Sequence, residues 1–234
     1  MALLAHWPAN DGAGTTLTDV WGSYDGTLSG SITWDGTDSL DFPNVSHSGI
    51  SIMPTKPLNN VSAFTIAMWI NHPAVTSDRG LFYTNNHGVT ALDRISLWLD
   101  SAATDGVGTV LDNGVSELAT IEPTTVPINT AAHIAFVYDG SFKRVYLNGV
   151  ALGGAFPAAF TGNTRTNPGS NYWLGNDALS GRSFIGKMWD ICVRDDALSP
   201  AQITDLFTNG VSEFQNGGGN DYTRQRRQTQ QFIG

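Results

Sequence analysis

From Phe64 to Ile70 the apolar side chains Phe64, Ile66, Met68 and Ile70 recur at every second residue, while Trp69 falls on the opposite side. A period of two puts those four on one face of an extended strand, and only a fold that covers that face can keep it out of water. The alternation returns at Ile95, Leu97 and Leu99. It returns again in the runs 133–138 and 143–147, which are joined by the tight-turn stretch Asp139-Gly140-Ser141-Phe142. Asn148-Gly149 opens a turn into Val150-Ala151-Leu152, and further strand patterns cover 172–175 and 183–193. Many short strands with frequent turns predict an all-β fold, a two-sheet antiparallel sandwich. The composition agrees, because three Lys and three Glu against 26 Gly and 24 Thr leave little helix-forming charge.

One stretch departs from the strand pattern. Ser199 is placed to cap a helix, Pro200 suits its first turn, Ile203, Leu206 and Phe207 share a face, and Asn209-Gly210 supplies the stop. This short helix is expected to pack on the sandwich. The domain is read as residues 1–212, followed by a Gly-rich linker and basic C-terminal arm over 213–234.

The net charge of -9 repels phosphate backbones, so nucleic acid is not an expected partner. The arm runs against this trend, with Arg224, Arg226 and Arg227 close together and an apolar end at Phe232. Cys192 is the only cysteine, so no intrachain disulfide can form, and its apolar surroundings predict a buried thiol rather than a nucleophile. No window approaches the ~20 apolar residues of a membrane helix. The stretch from Met1 to Trp7 lacks the basic and apolar regions of a secretory leader. If Met1 is the natural start, the expectation is synthesis and release in the cytosol.

The order of these elements resembles the laminin-G-like, concanavalin A-like jelly-roll family. The stretches 6–14 and 19–28 are similar to that family's first strand and the acidic, Gly-containing loop after it. The run 64–70 resembles its central strand, 133–150 its Tyr-Asp-Gly and Asn-Gly hairpin, and 172–176 its Leu-Gly-Asn strand. The stretch 186–199 resembles its closing element. Ile191 stands where the family usually has a second acid after Asp190, and the usual aromatic beyond that strand is absent. The resemblance implies a binding module. It also implies one structural Ca2+ that clips the N-terminal loop to the closing strand, with Asp19 and Asp190 at the matching positions and loop carbonyls near Tyr24 and Gly26 completing the shell. The alternative is that Asp19 forms a turn and Asp190 accepts a hydrogen bond from the loop, without an ion.

Sugar binding needs an aromatic platform, because pyranose faces are apolar and their rims polar. Trp21, Tyr24, Tyr172 and Trp173 lie near loops and are the candidate platform. Catalysis is not expected. Glu117, Glu122 and Glu213 are the only Glu residues and do not form the paired pattern of jelly-roll glycosidases. His6, His47, His72, His87 and His133 show no zinc spacing, and His133 reads as packing or hydrogen bonding.

The leading functional expectation is a non-catalytic, lectin-like virion structural protein of a tailed phage, a capsid decoration or adhesion protein. Its partners would be other virion proteins or further copies of itself, with a trimer plausible, and a cell-surface glycan. Arg224, Arg226, Arg227 and Phe232 would dock the arm. The alternative is a carbohydrate-binding module of a secreted protein or glycoside hydrolase, working outside the cell.

Overall fold

Phe64–Asn71 forms the long strand β7 of the computed structural model, and its alternate side chains Phe64, Ile66, Met68 and Ile70 are all fully buried. The structure describes residues 3–36, 38–45, 48–52, 58–84, 94–101, 105–112, 117–122, 124–158, 161–164, 172–176 and 182–211. The arm residues Arg224, Arg226, Arg227 and Phe232 lie outside the described residues, as does the boundary at 212–213.

Among the described residues the strands make two antiparallel eight-stranded sheets. The first contains β1 (Leu3–Trp7), β4 (Thr33–Trp34), β5 (Leu40–Phe42), β7, β12 (Ala132–Tyr138), β13 (Phe142–Leu147), β14 (Val150–Pro157) and β16 (Gly186–Arg194), in the order β14-β13-β12-β7-β16-β5-β4. Strand β1 pairs with β16 off this path. The second contains β2 (Thr16–Leu17), β3 (Gly26–Ser29), β6 (Gly49–Ile52), β8 (Arg79–Tyr83), β9 (Ile95–Asp100), β10 (Gly106–Asp112), β11 (Glu117–Glu122) and β15 (Tyr172–Leu174). Its order is β11-β10-β9-β8-β15-β6-β3-β2. The two inner faces meet in one core that includes Trp7, Phe42, Phe64, Phe82, Phe136 and Phe184. The sandwich expected from the alternation is therefore present, and Ile95, Leu97 and Leu99 are buried in it.

Helix α1 spans Pro200–Asn209 and begins as expected. The Ser199 hydroxyl accepts the Gln202 N–H, while the Gln202 side chain accepts the Ser199 N–H, so two helix-end donors are satisfied at once. Gly210, at φ 75°, closes the helix through its N–H to the Leu206 carbonyl. Ile203 and Leu206 then cover the outer face of the first sheet over Ala67, Ala135, Val137, Tyr146 and Cys192. Phe207 stacks on Trp69 at 5.4 Å, and the His133 ring packs against both, 5.4 Å from Trp69 and 6.0 Å from Phe207, in keeping with its reading as a packing residue.

The first sheet divides at Asp190. Along one edge of β16, residues 186–188 pair with β5, and residues 191–194 pair with β1. The register against β7 shifts between Trp189 and Cys192. Asp190 stands at this change of neighbour with φ 47°, a left-handed conformation that Asp tolerates better than most side chains.

Candidate functional site

The loop between β2 and β3 is built around the Asp19 carboxylate. Its Oδ1 accepts the N–H groups of His6 at 2.9 Å and Trp21 at 3.0 Å, and its Oδ2 accepts that of Tyr24 at 3.1 Å. Asp25 in turn accepts the Asp19 N–H at 2.9 Å, the Val20 N–H reaches the His6 carbonyl, and Trp7 Nε1 donates to the Tyr24 carbonyl at 2.8 Å. Short polar side chains that bind nearby backbone in this way fix a turn without help from secondary structure. The result is a pinned loop that buries Asp19 and turns its apolar tip outward: Val20 is 51% and Trp21 44% exposed. Tyr24 is half-buried and packs against the core.

Asp190 meets this loop through His6. The His6 Nε2 and Asp190 Oδ1 atoms are 2.7 Å apart with both residues buried, and a carboxylate can only accept, so Nε2 carries the proton. The two expected metal ligands therefore lie on opposite sides of one histidine. Each of them already has protein partners. Three N–H dipoles converge on Asp19. The turn requires glycine at position 22, since a Cβ there would come 2.5 Å from the Leu4 carbonyl oxygen and 2.7 Å from Asp19 Oδ2. Among the described residues no three His, Cys, Asp or Glu side chains come together as a metal site. Calcium takes six to eight oxygens; here three N–H groups meet Asp19 and the His6 ring meets Asp190.

The other two platform candidates separate. Tyr172 is 1% exposed, its ring meets Phe82 edge-on at 5.8 Å, and its hydroxyl accepts the Leu58 N–H. The expectation of a sugar-facing Tyr172 is corrected, because the same alternation that marks β15 turns this ring into the core. Trp173 falls on the outer face of the second sheet, directly opposite Tyr83. It is two strands from β3, since the order there is β15-β6-β3, and so stands apart from the loop that carries Trp21.

The outer face also holds an aromatic that sequence reasoning missed. Trp98 lies between Gly80 and Gly108 in register, and its indole rests flat on Gly108, where a Cβ would come within 2.0 Å of the ring. Trp98 Nε1 donates to Asp100 at 3.3 Å. The available signal was the aromatic out of phase with Ile95, Leu97 and Leu99, opposite the Gly-Val-Gly run of the next strand.

Asp100 and Asp112 do not approach one another on this face. Gly106 opposes Asp100, so Asp112 stands six residues further along β10, on the order of 20 Å away. Glycosidase carboxylates are separated by about 5 to 9.5 Å. Cys192 is fully buried, and that burial, followed by the charge of Asp190, pushes its thiol up to about 12. A thiol held there stays protonated, consistent with its expected structural role.

A laminin G profile described as the concanavalin A-like lectin/glucanases superfamily matches residues 35–204. No curated protein matches at the sequence level. Among solved structures, the chain is similar to domain 4 of a GH43 extracellular arabinanase from Geobacillus stearothermophilus, determined in complex with arabinotriose. The TM-score is 0.65 at 21% identity, covering 87% of this chain and 97% of that one. It is also similar to Trypanosoma rangeli sialidase, with a TM-score of 0.65 at 15% identity, covering 88% of this chain and 32% of that one. The binding domain of botulinum neurotoxin serotype G gives a TM-score of 0.67 at 12% identity, covering 88% and 51%.

Proposed function

Because the chain belongs to the concanavalin A-like lectin/glucanase superfamily, we propose that it works by binding carbohydrate, with the loop that presents Val20 and Trp21 as its main contact surface. The observation that carries this reading is an indole left 44% exposed on a backbone already fixed by Asp19. A platform ordered in advance loses little conformational freedom when a sugar stacks on it. The arabinanase domain supports the reading, since it was determined with a trisaccharide and is matched over nearly its whole length. The net charge of -9 favours a neutral saccharide over an anionic one.

The test is a titration of the full chain with neutral oligosaccharides, arabino-oligosaccharides among them, and with sialyl-lactose, read by tryptophan fluorescence and calorimetry. Neutral ligands are expected to bind, and Trp21→Ala is expected to weaken them at least about tenfold, or ~1.4 kcal/mol. Trp69→Phe, under the helix, should leave binding unchanged. A folded chain that binds nothing across a broad glycan array would overturn the reading.

A further inference from the structure

We infer that this chain fastens its N-terminal strand and the Trp21 loop to the closing strand with protein groups alone, at the place where its resemblance implies a divalent cation. The inference concerns the scaffold and does not depend on what Trp21 binds.

Three observations carry it. The first is the donor set. Both Asp19 oxygens are occupied by N–H groups from three residues, His6, Trp21 and Tyr24. Such a cap turns the positive ends of three backbone N–H dipoles towards the carboxylate. The second is the loop carbonyl expected to complete the shell: that of Tyr24 accepts the Trp7 Nε1 proton at 2.8 Å. The third is the contact across the chain. His6 and Asp190 are 184 residues apart in sequence, yet Nε2 and Oδ1 meet at 2.7 Å, both residues are buried, and the Asp190 N–H reaches the Pro8 carbonyl at 3.3 Å.

His6 is the centre of this fastening. Its ring holds the closing strand, its N–H holds Asp19, and its carbonyl accepts the Val20 N–H at 2.9 Å. One residue thus performs the linking that a shared ion performs by collecting carboxylates from two segments. The left-handed turn at Asp190 fits this role, because it sits where β16 exchanges β5 for β1 as its neighbour.

The test starts with the unaltered chain. Thermal unfolding is followed in EGTA and in millimolar calcium chloride, with native mass spectrometry of the same samples. The midpoint should move by less than about 1 °C, against the ~2–4 °C that about 1 kcal/mol is worth in a domain of this size. No calcium adduct should form. A midpoint raised by calcium and returned by EGTA, or a stoichiometric adduct, would overturn the inference.

The second arm compares His6→Leu with His6→Gln. Leu removes the donor to Asp190 and should lower the midpoint by several degrees, whereas Gln retains an N–H and should recover part of it. The Asp190→Asn and His6→Leu effects should be less than additive, because both remove the same contact. Fully additive effects, or a Gln variant no better than Leu, would exclude the His6–Asp190 link.

Discussion

Lys143 is 1% exposed and points into the sandwich, in phase with Val145, where its Nζ crosses to the other sheet and donates to the Thr109 carbonyl at 3.1 Å. Glu122, 3% exposed, is the nearby countercharge. Its Oε2 lies under Gly153, and Oε1 has no hydrogen-bond partner among the described residues. Desolvation raises the Glu122 carboxyl above its ordinary value, and the Lys143 charge only partly offsets this. The sign follows directly. Below the ordinary Glu value both folded and unfolded chains hold the proton. As pH rises through the raised folded value the unfolded chain has already released it, and stability falls. Glu122→Gln should therefore gain stability relative to the parent as pH climbs from about 4 towards neutral. Urea midpoints of the two proteins across that range check this, and a constant difference would count against it. Lys143→Met leaves a buried carboxylate without its cation and should cost about 3 kcal/mol. Adding Glu122→Gln should restore part of that loss. The inward phase of Lys143 was legible in the sequence, but its partner was not, because Glu122 comes from the other sheet.

At the scale of elements, α1 was the most readable piece, since capping, first turn and stop are local chemistry written within a dozen residues. Ser199→Ala should cost about 1 kcal/mol by leaving the Gln202 N–H without its hydroxyl acceptor, measured by chemical denaturation. The strand faces were equally legible: Phe64, Ile66, Met68 and Ile70 face the core as their alternation requires. What alternation hides is its own interruption. The register shift around Asp190 and the left-handed conformation there depend on which strands flank β16, and no local pattern encodes a change of neighbour. The same limit explains Tyr172 and Trp173. Both were visible as aromatics near a loop, but their phase against the core decides which one faces out. Trp21 and Tyr24 could be placed on a loop from the sequence because a polar, Gly-containing loop is itself a sequence feature. The Asp19 cap that fixes it needs His6, thirteen residues earlier, brought alongside by β1.

Across the whole molecule, the sandwich was legible and its biological setting was not. One architecture with these sheets is similar to parts of an arabinanase, a sialidase and a neurotoxin, at 12 to 21% identity. What these proteins share with the chain is the fold, which does not select between a virion surface and a secreted module. Topology does set a folding expectation. β1 must find β16 near the far end of the chain, with Trp7 opposite Ile191. Contacts this distant in sequence slow two-state folding into the millisecond-to-second range. Removing residues 1–7 should abolish cooperative unfolding in calorimetry, because it takes Ala5 and Trp7 out of the core together with His6.

The pairing of β1 with β16 has a mechanical side as well. Leu3 opposes Arg194, and Leu3 and Val211 belong to the same small cluster under the helix, so the chain enters and leaves the sandwich at neighbouring points. Tension applied through both ends would pull these antiparallel strands apart from one end, breaking hydrogen bonds in sequence rather than loading them together. The domain would open like a zip at low force, with its hinge at Asp190, long before the remaining strands felt the load.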